Sequence, residues 1–199
     1  NSYIIYGFSA TNQLFMTKVF LNLFGVFDFL GLFCGFNTSI SFITKFQIYA
    51  EKIYYSFCVI GGIFDEKFEV ITNMLFNLVK LNQIIIVLSD LTENEIKLAP
   101  LRVNNFFYSL GEFNVEFING SEESNRLAKA YINEKVVGPT SFDDCHHIAL
   151  ATISSVDILA SWNFKHIVNE NRIRGYNSVN LRMGYDQLEI LSPLEIIYL

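Results

Sequence analysis

TSFDDCHHIALATISSVDILASWNFKH, residues 140–166, is the stretch that decides the fold. Pro139 stops whatever precedes it, Ser141 is placed to cap a helix, and Asp144 three residues on completes a Ser-x-x-Asp capping box. Ile148, Ala149, Ala151 and Thr152 follow at helical spacing. Residues 156–160 then read as a short apolar strand with only Asp157 polar, ending at Ser161-Trp162-Asn163. A carboxylate therefore sits at a helix N-terminus and a carboxamide just past the following strand. In an α/β sheet both places lie on the carboxyl edge, where such folds keep their sites.

The same grammar extends upstream. A short strand at 53–55 feeds Ser56-Phe57-Cys58, and Gly61-Gly62 marks a tight turn. Phe68, Ile71, Leu75, Phe76 and Val79 share one helical face, which predicts a helix to about Lys80. The run 84–88 is continuous and β-branched, as suits a strand buried on both faces of a parallel sheet. Ser89-Asp90-Leu91-Thr92 opens a helix with Thr92-x-x-Glu95 as its capping box, and a further helix is expected over 103–110. Residues 115–118 give a third strand, Ser121 caps a helix bearing Leu127, Ala130, Tyr131 and Ile132, and a last strand falls near 188–191. Repeated strand–helix alternation with right-handed crossovers predicts an α/β fold: a three-layer α/β/α sandwich around a mainly parallel sheet, spanning 53–199.

Residues 1–52 obey different rules. They hold ten of the twenty Phe and only five charged residues. The apolar run 19–36 is about long enough to span a bilayer. Asp28 near its middle costs about 3 kcal/mol on insertion scales, against roughly 4–7 kcal/mol returned by its Phe, Leu and Val, and three glycines and Asn22 weigh further against insertion. The segment is read as a Phe-rich extension, non-native or an anchor, with a membrane role disfavoured.

Totals exclude several classes. A chain of 199 residues that is 51% hydrophobic and 16% aromatic can build a core and is not disordered overall. Its net charge of -6 supplies no global basic field, so contact with nucleic acid must be local and metal-assisted. Three widely separated cysteines argue against a disulfide framework and for a reducing, cytoplasmic setting.

Four groups of residues could carry chemistry. Glu95 and Asp144, each assigned to the first turn of a helix on the carboxyl edge, could cap amides or face one hollow, where a cation would relieve their repulsion. Cys145-His146-His147 resembles a metal cluster, but consecutive helical residues point about 100° apart and cannot converge on one ion. His147 stands one turn from Asp143 and Asp144, so these two residues, Asp143 and His147, are read as support for the site. Lys165, Arg172, Arg174 and Arg182, interleaved with five Asn, read as a phosphate-binding strip or as a solvated surface segment.

With these pieces in order, the chain resembles the PIN domains, metal-dependent ribonucleases that include the toxin halves of many bacterial toxin–antitoxin pairs. VLSDLTENEI places Glu95 at the family's Glu, DDCHHIALA places Asp144 at its helix-opening Asp, and LASWNFKHI places Asn163 at its last polar position. VIGGIFDE follows the first strand as expected. Where the family reads Asp-Thr-Ser this chain reads Ser56-Phe57-Cys58, so the leading metal carboxylate is replaced by the hydroxyl of Ser56. The resemblance implies Mg²⁺ or Mn²⁺ held by Glu95 and Asp144, Asn163 orienting a water or ligand, and RNA contacts from Lys165, Arg172 and Arg174. It implies single-stranded or structured RNA, a small antitoxin protein and a second copy of the chain as partners. Two carboxylates and an Asn can hold one ion with several waters, and a second ion poorly. The competing implication is a catalytically silent PIN fold that binds a protein partner.

Overall fold

The computed structural model describes residues 50–199, so the Phe-rich extension lies outside the described residues up to position 49. The strands are β1 (Glu51–Tyr55), β2 (Ile84–Ser89), β3 (Val115–Ile118), β4 (Ile158–Ala160) and β5 (Glu189–Leu191). The helices are α1 (Phe57–Gly62), α2 (Glu69–Lys80), α3 (Asp90–Lys97), α4 (Leu101–Ser109), α5 (Glu122–Asn133), α6 (Phe142–Ile153), α7 (Glu170–Met183) and α8 (Pro193–Ile197). The sheet runs β3-β2-β1-β4-β5, and every pairing in it is parallel.

The pleat explains the three layers. Along β1, Ile53 and Tyr55 enter one core cluster while Tyr54 enters the other. On β2, Ile84, Ile86 and Leu88 oppose Val87, and on β4 Ile158 and Ala160 oppose Leu159. Successive strand residues point to opposite faces, so a sheet covered on both sides needs an apolar residue at nearly every position. One layer holds α1, α2, α4 and α8, and the other holds α5, α6 and α7. Each buried large apolar side chain contributes roughly 1.5–3 kcal/mol.

The double glycine is not a turn between elements. Gly61 and Gly62 are the last residues of α1, and a Cβ on Gly62 would stand 2.9 Å from both Thr72 Oγ1 and Trp162 Nε1. The glycine is there for close packing. Trp162 stacks on Phe68 with ring centroids 4.4 Å apart and donates its Nε1–H to Thr72 Oγ1 at 3.1 Å, tying the end of β4 to α2. Asp65-Glu66 falls in an exposed turn before α2. The basic segment forms a helix: Asn169 caps α7 by accepting from Arg172 N, and Gly184, at φ 87°, ends it in the left-handed conformation glycine favours. No helix among the described residues is long and apolar enough to cross a membrane.

Strand order reverses at β1, whose neighbours are β2 on one side and β4 on the other. A crevice opens at the carboxyl ends of strands where order reverses. Here it lies between the ends of β1 and β4.

Candidate functional site

A hollow of about 130 Å³ occupies that crevice, lined by Ser56, Phe57, Cys58, Glu95, Asp144, His147, Asn163 and Ile167. It is smaller than the roughly 300–1,000 Å³ of a small-molecule pocket. Its polar atoms come from the end of β1, from α3, from α6 and from the loop after β4.

Both carboxylates reach it, though not as caps. In α3 the cap is Ser89, whose side chain accepts from Thr92 N, so Thr92-x-x-Glu95 is not a capping box. Glu95 lies in the second turn rather than the first, with its Oε2 2.9 Å from His147 Nε2. In α6, Ser141 makes no side-chain cap bond, and its hydroxyl lies 3.3 Å from His166 Nδ1. Asp144 remains in the first turn, but its Oδ1 accepts from Asn163 Nδ2 at 2.8 Å. Each carboxylate is thus held at one oxygen by a nitrogen from across the fold, and its other oxygen has no hydrogen-bond partner among the described residues. Burial is the main force raising the Asp144 carboxyl above its ordinary value; His166, His147 and the Asn163 amide oppose it, and Glu95 adds to the rise.

Asn163 is fixed at both ends. Its Oδ1 accepts from His166 N at 3.0 Å while its amide hydrogens face Asp144. Turning the amide over would set oxygen against carboxylate and N–H against N–H, so chemistry allows only this orientation. In this geometry Asn163 orients a carboxylate.

Ser56 is buried, and its hydroxyl donates to Ala160 O at 3.1 Å, bridging the ends of β1 and β4. Cys58 Sγ accepts Trp162 N–H at 3.1 Å and sits 3.2 Å from both Ser56 Oγ and Ser161 Oγ. This corner carries no charge, and its hydroxyls and thiol satisfy one another.

His147 corrects the sequence-based expectation. It bonds neither Asp143 nor Asp144; its ring is buried between Glu95 and Tyr54, with Nδ1 2.7 Å from the Tyr54 hydroxyl. Asp143 is exposed and does not line the hollow. His146 turns the other way, to Ser124 Oγ at 3.0 Å, and Cys145 is sealed in the core, its thiol pushed up to about 12 by burial. Cys145, His146 and His147 thus diverge as helical geometry requires.

The basic residues do not form one strip. Arg172 donates to His166 Nδ1, which leaves Nε2 to carry that imidazole's proton, because a guanidinium has no lone pair to offer. Arg174, two positions on, projects about 200° away around the helix and pairs with Glu170 at 3.3 Å in solvent. Lys165 is exposed, and Arg182 pairs with Glu134 at 3.0 Å.

Tyr54 and His166 are the residues that sequence reasoning passed over. Tyr54 had a readable signal, since a tyrosine on a central buried strand usually needs a partner for its hydroxyl. His166 follows Asn163 by three residues, but its link to Arg172 depends on how α7 packs.

The donor set is hard oxygen, with two carboxylates on one hollow. Among the described residues no group of three or more His, Cys, Asp or Glu is placed to hold a metal ion. Two carboxylates with water suffice for one Mg²⁺ or Mn²⁺, which retains several waters when protein-bound. Two carboxylates would hold a second ion poorly.

No protein-family model matches the chain, and no curated protein matches it in sequence. Among solved structures it is similar to VapBC2 from Rickettsia felis bound to a DNA fragment from their promoter, with 12% identity, 71% of this chain and 98% of that chain covered, and a TM-score of 0.45. At that overlap and identity the likeness settles nothing about this chain, whose fold rests on its own sheet and layers.

Proposed function

We propose that this chain is a PIN-type ribonuclease working with a single Mg²⁺ or Mn²⁺ and weakened by the loss of the first acid. The observation that carries the reading is the meeting of Glu95 and Asp144, from separate helices, on one small hollow at the point where strand order reverses. Glu95 and Asp144 would hold the ion by their unpaired oxygens, with His147 and Asn163 fixing the opposite oxygens. A bound ion of this kind makes a coordinated water more acidic and offsets charge on a phosphodiester. The exposed Lys165 and Arg174 offer local contacts for RNA on a chain of net charge -6. The test is cleavage of single-stranded RNA with Mn²⁺. The wild type should cleave slowly, and Glu95→Gln or Asp144→Asn should abolish it; equal cleavage by all three would overturn the reading.

A second reading has its own support. The Ser56 hydroxyl is bonded to Ala160 O, so the corner where the family keeps its first acid is closed in on itself. A silent fold of this kind would act by binding a small antitoxin-like protein. Leu98 and Leu101, 90% and 80% exposed at the junction of α3 and α4, are apolar contacts it could use. Absence of Mn²⁺-dependent cleavage, together with a stable complex with a small protein encoded beside this one, would favour it.

A further inference from the structure

We infer that Tyr54 is a positioning residue for Glu95, acting through His147, whose ring it holds from the Nδ1 side while Nε2 meets the carboxylate. The inference rests on the reading of Glu95 as an ion ligand. Four side chains form a continuous line: Ser89 Oγ lies 2.7 Å from the Tyr54 hydroxyl, that hydroxyl 2.7 Å from His147 Nδ1, and His147 Nε2 2.9 Å from Glu95 Oε2.

The protons along this line can be placed. A carboxylate only accepts, so Nε2 must carry the hydrogen that faces Glu95. In the neutral ring Nδ1 is then a bare acceptor, and the Tyr54 O–H fills it. The Tyr54 oxygen in turn accepts from the Ser89 hydroxyl, whose own oxygen accepts Thr92 N–H as the cap of α3. Thr92 Oγ1, 3.2 Å from Ser89 Oγ and 3.5 Å from the Tyr54 hydroxyl, closes the cluster. The opposite tautomer would aim a lone pair of Nε2 at the carboxylate, so Glu95 sets the tautomer and Tyr54 fills the nitrogen left bare.

The anchor is rigid. Tyr54 is fully buried on the central strand, which is paired on both sides, and its ring meets His147 edge-on at 5.7 Å. Metal ligands are commonly aimed by such outer partners, whose loss weakens metal binding about 10–100-fold. Here the line fixes Oε2 and leaves Oε1 to the hollow.

Nitrogen-15 spectra of the neutral His147 ring in the full, metal-free chain read the hydrogen bond at Nδ1 directly, and Mn²⁺ calorimetry reads its consequence. The wild type should show a protonated Nε2 and an Nδ1 that accepts a hydrogen bond. Tyr54→Phe should move the Nδ1 resonance to that of a nitrogen without a hydrogen bond and bind Mn²⁺ about tenfold more weakly. A neutral wild-type ring protonated on Nδ1 overturns the inference, whether or not the variant folds. So does a folded Tyr54→Phe whose ring nitrogens and Mn²⁺ affinity are unchanged. If the wild type takes up no Mn²⁺, the single-ion reading falls, and the nitrogen spectra still decide whether Tyr54 fixes His147.

Discussion

The two halves of the hollow treat their polar atoms in opposite ways. On one half stand two acids, Glu95 and Asp144, each gripped at a single oxygen by a nitrogen of a residue distant in sequence, His147 at 52 positions and Asn163 at 19. On the other, at the end of β1, Ser56, Cys58 and Ser161 are neutral and bond mainly to each other and to backbone. A half that leaves carboxylate oxygens unpaired has acceptors to offer a ligand. A half that satisfies itself is prepared for nothing further. The difference teaches that the bracing of the two acids does not depend on a third.

Adding an acid to the neutral half is the strongest way to break the comparison. Ser56→Asp would bury a third carboxylate beside two others and should cost about 3 kcal/mol in the metal-free chain. Mn²⁺ should recover much of that in the melting temperature, because only the native state binds it, and RNA cleavage should rise above wild type. No metal-dependent change in melting would place Ser56 outside the site.

The packing behind the neutral half comes next. Gly62→Ala must displace Trp162 or Thr72, with a loss of about 2 kcal/mol read by denaturant unfolding. A neutral result would mean that the corner is loosely packed.

The two tyrosines of β1 sharpen the contrast. Tyr54 has a fully used hydroxyl, whereas the Tyr55 hydroxyl is buried among the described residues with no partner. Tyr54→Phe strands Ser89 and His147 and should destabilise by roughly 1–3 kcal/mol. Tyr55→Phe removes an unsatisfied group and should be neutral or stabilising by about 1 kcal/mol. Losses of equal size would show that Tyr55 has a partner in solution.

The smallest effect is one of pH. The Asp144 carboxyl is raised mainly by burial, so the native chain holds that proton more tightly than the unfolded chain. Stability from this group therefore falls as pH rises from the ordinary carboxylate value through the raised one, and stays lower above it. Asp144→Asn cannot show that fall. The melting difference between variant and metal-free wild type should move in the variant's favour from pH 3 to pH 7; movement the other way would mean that the histidines and Asn163 outweigh burial.

The layers were legible because burial on both sheet faces writes continuous apolar runs, as in β2, and because Ser121 and the run after it obey local capping and periodicity. The hollow was legible in its acids. What was hidden is the hand that holds each acid. Capping rules look three residues ahead, and by them Thr92 caps Glu95's helix and Ser141 pairs with Asp144. In the fold the same local rule starts three residues earlier, with Ser89 capping onto Thr92, while Asn163 takes Asp144 because packing brings it from across the fold. His147 was assigned to acids on its own helix for the same reason, and it found Glu95 only because α3 faces α6 across the hollow. The α7 helix was obscured by its polarity, because its buried face is narrow, with Tyr176, Val179 and Asn180 its buried residues.

Calorimetry of Mn²⁺ binding to the full chain and to Asp144→Asn tests the shared carboxylate site most directly. One ion should bind the wild type, and the variant should bind it at least tenfold more weakly. Equal binding by the two chains, or two ions on the wild type, would contradict it.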